Sequence, residues 1–151
     1  MENNNIELRP AMVFAFWKVS PLILLAIVML LLAWCLSAYF MLFSMAAATA
    51  AWYRLVYIRR ISYLLTAEYL RIRQGLLFKR VDQVELYRVK DFIITQLFVL
   101  QLFNLMDLSL KTTDPENPIL WLRGIPNSSI VDVIRERVQE TRNHNPVYEI
   151  N

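Results

Sequence analysis

Polar and apolar positions divide this chain abruptly. From Val19 to Tyr53 no residue is charged, and nearly every residue is apolar or small. A run beyond ~18 such residues reads as membrane-spanning. As a single helix, the 35 residues would reach about 52 Å at ~1.5 Å per residue, past a hydrocarbon layer of ~30 Å. Two helices and a tight turn need about 40 residues, which is the length from Val19 to Ile58. The pattern predicts a helical hairpin over 19–58, turning near Ser37 to Phe40. Ala11 to Trp17, bounded by Pro10 and Lys18, is too short for a span; residues 1–18 read as a cytoplasmic segment, with an interfacial dip of Ala11 to Trp17 as the alternative.

Beyond the hairpin the period changes from helical to two. Ile61 to Thr66 reads as a strand, Ala67–Glu68 as a turn, and Tyr69 to Arg73 as a half-buried strand, with Leu70 and Ile72 opposite Arg71 and Arg73. Gln74–Gly75 supplies a turn, because glycine accepts a positive φ. Leu76 to Arg80 and Val84 to Val89 are expected as two further strands. Asp91 to Leu105 holds too many large apolar residues for a loop. It reads as a strand followed by a helical turn, filling the core or else forming a patch for a partner or the bilayer surface. Met106 to Lys111 alternates again, and Ile119 to Arg123 is another short strand. A helix follows Ser129, with Asp132 as the acidic half of a capping box. Its apolar face is Ile130, Val133 or Ile134, and Val138. The fold class is α+β: a two-helix transmembrane hairpin over 19–58 after an N-terminal segment of 1–18, then an antiparallel curled sheet with a C-terminal helix over 59–142, then a tail of 143–151.

Charge orients the hairpin. Arg9 and Lys18 precede it; Arg54, Arg59 and Arg60 follow it. Basic residues favour the cytoplasmic side, and an even number of spans puts both groups there. Trp17, Trp52 and Tyr53 fall where an interfacial aromatic belt belongs, and Trp34 and Tyr39 flank the outer turn. In the second helix, Ala46, Ala47, Ala50 and Ala51 allow close helix packing, against the first helix or against a partner's helix. The segment 59–90 carries a charge of +5 and 91–151 a charge of −3. Arg54, Arg59, Arg60, Arg71, Arg73, Lys79 and Arg80 are therefore the candidate lipid or topology residues, and protein contact is the third use open to them.

The chemistry of a catalytic site is missing from the pattern. The one histidine, His144, stands in the tail, and the one cysteine, Cys35, lies in the apolar run. No metal-binding or phosphate-cradling motif occurs, so no cofactor is expected. A carboxylate site built from Asp82, Glu85, Asp107 or Asp114 stays open, since nothing in the spacing brings them together. A net charge of +3 without interleaved aromatic and basic residues argues against nucleic acid.

The stretch from Tyr63 to Leu77, YLLTAEYLRIRQGLL, resembles the opening of bacterial pleckstrin-homology-like (bPH2, YdbS-like) membrane proteins, and the paired helices upstream fit the same family. Val81 to Leu86 is similar to the strand that follows there, and Leu122-Arg123-Gly124-Ile125-Pro126 before a helix is similar to the usual ending. Together these cover roughly residues 20 to 142. The resemblance implies a PH-like, curled seven-strand sheet capped by a helix, and no ligand. Members often carry a glycine-rich, arginine-containing stretch before the sixth strand. Here Gln96 to Leu105 contains neither residue. The function expected is a non-catalytic accessory or scaffold module of the bacterial inner membrane, with both ends cytoplasmic. Its partners would be membrane lipids and another membrane protein or further copies of itself; a membrane enzyme is the alternative.

Overall fold

The computed structural model describes residues 5–144. The elements run β1 (Ile6–Leu8), α1 (Met12–Cys35), α2 (Phe40–Arg59), β2 (Ser62–Leu65), β3 (Tyr69–Gln74), β4 (Arg80–Glu85), a 3-10 turn (Leu86–Arg88), β5 (Val89–Thr95), α3 (Phe98–Leu102), β6 (Leu105–Thr112), β7 (Ile119–Pro126) and α4 (Ile130–His144). Two antiparallel sheets result, β1-β2-β3-β4 and β5-β6-β7.

The hairpin forms with its turn at residues 36–39, where it was expected, but α1 starts seven residues early. The last six residues of Ala11 to Trp17 are the start of that helix. Pro21 sits inside α1 and withholds the amide that would reach Trp17. The Ser20 hydroxyl donates to the Trp17 carbonyl instead, at 2.8 Å. That substitution lets the helix run on through the proline. At 24 and 20 residues, with 18-residue stretches of mean hydropathy 2.3 and 1.2, α1 and α2 are by length and composition long and apolar enough to cross a bilayer.

The helices meet along a heptad seam. Ala15, Val19, Leu22, Ala26 and Met29 in α1 alternate steps of four and three, and each is at least half-buried. Ser44, Ala47, Ala51, Leu55 and Ile58 form the matching row in α2. Such spacing is that of near-parallel helix packing. The Ser44 hydroxyl donates to the Ala26 carbonyl across the seam at 2.9 Å. Ala47 and Ala51 thus lie in or beside the contact, whereas Ala46 and Ala50 face outward.

The chain also departs from the expected order of a hairpin followed by a sheet. β1 precedes the hairpin and pairs with β2, Ile6 opposite Leu65 and Leu8 opposite Tyr63. The hairpin is therefore an insertion between two neighbouring strands of one sheet. A second correction concerns residues 76–89. The expected strands Leu76–Arg80 and Val84–Val89 are replaced by a loop at 75–79, the single strand β4 and the 3-10 turn. β4 is held in register by β3, Leu70 opposite Val84 and Arg73 opposite Val81.

Inside the two sheets lie Tyr63, Leu65, Leu70, Val84, Leu86, Val89, Met106, Leu108, Leu110, Leu122 and Ile125, closed over by Ile130, Val131, Ile134 and Val138 of α4. α4 is tied to the end remote from the hairpin. Arg137 donates to the Leu65 carbonyl, Thr141 to that of Ala67 and Arg142 to that of Val89. The helix runs through to His144, two residues into the expected tail; the His144 side chain and residues 145–151 lie outside the described part.

Candidate functional site

The base of the hairpin is locked to the sheets by a short relay. The pairing of β6 with β7 shifts register between Met106 and Leu108, and Asp107, at that shift, accepts a hydrogen bond from Gly124 N–H at 2.7 Å. The Gly124 carbonyl in turn accepts from Ala11 N–H at 2.8 Å, just ahead of α1. Gly124 has φ +63, and a Cβ there would stand 2.3 Å from Phe14 Cγ. Phe14 packs with Ala15, Val19, Ala51, Ile58, Leu100 and Leu105 in a second apolar cluster joining hairpin, α3 and β6.

This end of the molecule carries two clefts. The first, of about 430 Å³, lies beside the β3–β4 loop. Arg60, Ser62, Arg73, Gln74, Gly75, Lys79, Arg80 and Val81 line it. Antiparallel pairing of Ser62 with Arg73 brings the residues after α2 beside the end of β3. The tight loop then returns Lys79 and Arg80. That loop depends on Gly75, whose φ is +112 and where a Cβ would lie 1.9 Å from the Phe78 carbonyl oxygen. Arg80 pairs with Asp82 at 2.7 Å, and that hydrogen bond, then the charge, raises the guanidinium pKa. Past Gly75 the loop tip exposes Leu77 at 79% and Phe78 at 92%.

The second cleft, of about 360 Å³, lies where hairpin and sheets meet. It is lined by Lys18, Arg54 and Arg123 together with Phe14, Tyr57, Ile58, Tyr63, Gln74 and Trp121. The Arg123 guanidinium lies over the Trp121 ring, 5.1 Å from its centroid, and the Lys18 ammonium 5.8 Å from that of Phe14. The buried Tyr63 hydroxyl accepts from Arg123 N–H at 3.0 Å. Burial raises the Tyr63 phenol pKa; the Arg123 bond opposes the rise and Asp107 adds to it.

Of the seven basic residues singled out from sequence, Arg60, Arg73, Lys79 and Arg80 meet in the loop cleft and Arg54 lines the junction cleft. Arg59 and Arg71 line neither. Arg71 bonds the Gln83 side chain at 2.9 and 3.1 Å and stacks on Tyr69. Lys18 and Arg123 were missed as site residues. Lys18 is legible as the last charge before the uncharged run. Arg123 is brought in from a strand 69 positions beyond Arg54, and no local signal marks it.

α3 supplies a third feature at this end. Its Leu100 is buried against the hairpin, while Leu97, Phe98, Leu102 and Phe103 are exposed, Phe98 at 80%. Filling the core is thus the work of few residues in 91–105, and most of its apolar side chains form a surface patch. Asn104 closes the segment at φ +52, a left-handed position that asparagine tolerates better than most residues. It does what a glycine does elsewhere.

The four carboxylates are not gathered into one site. Asp82 pairs with Arg80 and Asp107 holds Gly124 N–H. Glu85 and Asp114 approach the same Arg88, at 3.3 and 3.8 Å. Among the described residues no three His, Cys, Asp or Glu side chains form a group suited to a metal ion.

Comparison with known proteins adds one match. The family model for the bacterial PH domain matches residues 11–144. No curated protein and no solved structure matches the chain. The match spans α1 through α4, the hairpin included. The chain belongs to the bacterial PH domain family.

Proposed function

We propose that this protein is a non-catalytic accessory module of the bacterial inner membrane. It holds a PH-like body against the cytoplasmic face of the bilayer and touches anionic lipid there. The observation that carries this reading is the gathering of three features at the hairpin end: the two long apolar helices, the cation-lined clefts and the exposed tips of α3 and the β3–β4 loop. In water, Phe78 and Phe98 so exposed would be a liability. At a bilayer surface they enter the headgroup boundary while neighbouring basic residues meet anionic phosphates. Each such cation adds about 1 kcal/mol at most. Insertion of the hairpin between β1 and β2 gives the body two covalent attachments to the membrane, which suits holding a surface in fixed orientation.

The accessory role is tested by composition. The tagged full-length protein is extracted in mild detergent, and the isolated complex is sized and identified by mass spectrometry. A different membrane protein in fixed ratio is the expected result. An assembly of this chain alone would favour the self-assembling scaffold instead. A monomer without partners would contradict both.

A further inference from the structure

We infer that the junction cleft binds the phosphate of an anionic lipid headgroup. The inference rests on the membrane-anchored reading and names a ligand within it. Lys18, Arg54 and Arg123 come from α1, α2 and β7, so the fold gathers them from three separate elements. No carboxylate lines this cleft. Among the described residues none lies within ion-pair distance of the three cations. Three cations around one cavity repel one another, and an anion between them reverses the sign of that energy. The loop cleft is a weaker case, because its Arg80 is already paired with Asp82.

Position selects the anion. Lys18 and Arg54 border the uncharged run at its two ends, so in a bilayer they stand where hydrocarbon gives way to headgroups. The anion abundant at that level is lipid phosphate. Tyr57 and Trp121 line the same cleft, and tyrosine and tryptophan favour that boundary. A volume of about 360 Å³ has room for about twelve waters at ~30 Å³ each. This suits a hydrated phosphodiester with its glycerol; the acyl chains would stay outside along the helices.

The test uses full-length protein purified in detergent, followed by native mass spectrometry and thermal unfolding. The wild type is expected to retain about one phospholipid per chain, and phosphatidylglycerol to raise its unfolding midpoint where phosphatidylcholine does not. A K18Q/R54Q/R123Q variant should bind phosphatidylglycerol roughly 100-fold more weakly, at about fivefold per cation. Should that variant not fold, R123Q carries the test, with a loss of about fivefold that R123K restores. Equal retention by wild type and charge-neutral variants would overturn the inference. So would glycerol phosphate alone giving the full stabilisation with no lipid retained, which would assign the cleft to a soluble phosphate ester. Carbonate washing keeps the two claims apart. Release of the chain from membranes overturns the anchored reading together with this one, whereas a retained chain with an indifferent triple variant overturns only this one.

Discussion

At the scale of single residues, Gly124 concentrates most of the constraint. Its φ of +63 suits glycine, and Phe14 fills the space a Cβ would need. Gly124→Ala should cost roughly 1–2 kcal/mol for the left-handed backbone and roughly 1–3 kcal/mol for overpacking, read as a lowered unfolding midpoint in detergent. In a Phe14→Ala background the overpacking part should vanish, giving a non-additive double-mutant cycle. Tyr63 supplies a pH dependence. Burial raises its pKa, so the folded state holds the proton to higher pH than the unfolded chain does. This contribution to stability is complete below about pH 10 and is lost as pH climbs through the raised value. Tyr63→Phe, compared with wild type at about pH 9 and about pH 11, should lose less stability over that interval. The turn at Gly75 was readable from sequence, since a glycine between two polar-alternating stretches signals a turn. The demand at Gly124 was not, because it comes from a phenylalanine 110 positions earlier.

At the scale of elements, the hairpin's length and turn were legible, and its contact face was not. Hydropathy counts apolar residues, but a helix that is apolar all round gives no sign of which side meets its neighbour. Hence Ala46 and Ala50 were grouped with Ala47 and Ala51, although only the latter pair lies at the seam. Ala51→Leu should push the helices apart and cost roughly 1–3 kcal/mol, while Ala50→Leu should leave the unfolding midpoint nearly unchanged. The loop at 75–79 misled for a related reason. Leu76, Leu77 and Phe78 look like a buried strand under the rules of a water-soluble protein, but at the bilayer surface proposed for this end an apolar residue need not be buried in protein. The same holds for α3. With Cys35→Ser as background, a nitroxide on Phe78→Cys in anionic nanodiscs should be reached more readily by oxygen than by a water-soluble nickel chelate. The reverse preference would place the tip in water.

For the whole molecule, the feature least visible in sequence is the insertion of the hairpin between β1 and β2. Three residues, Ile6–Leu8, are too short to read as a strand, and their partners lie 55 to 59 positions further along the chain at Leu65–Tyr63, after the entire hairpin. The alternating strands β3, β6 and β7 and the helix α4 were legible, because each carries its own period. That insertion makes a demand on the membrane-anchored topology proposed above: β1 and β2 share hydrogen bonds, so the two ends of a spanning hairpin must be on one side of the bilayer. A cysteine scan in spheroplasts with a membrane-impermeant maleimide tests this directly, again with Cys35→Ser as background. Ala38→Cys in the outer turn should label in intact spheroplasts, whereas Asn5→Cys and Arg135→Cys should label only after lysis. Labelling of either Asn5→Cys or Arg135→Cys in intact spheroplasts, with the other protected, would put the paired strands on opposite faces of the bilayer and contradict the account.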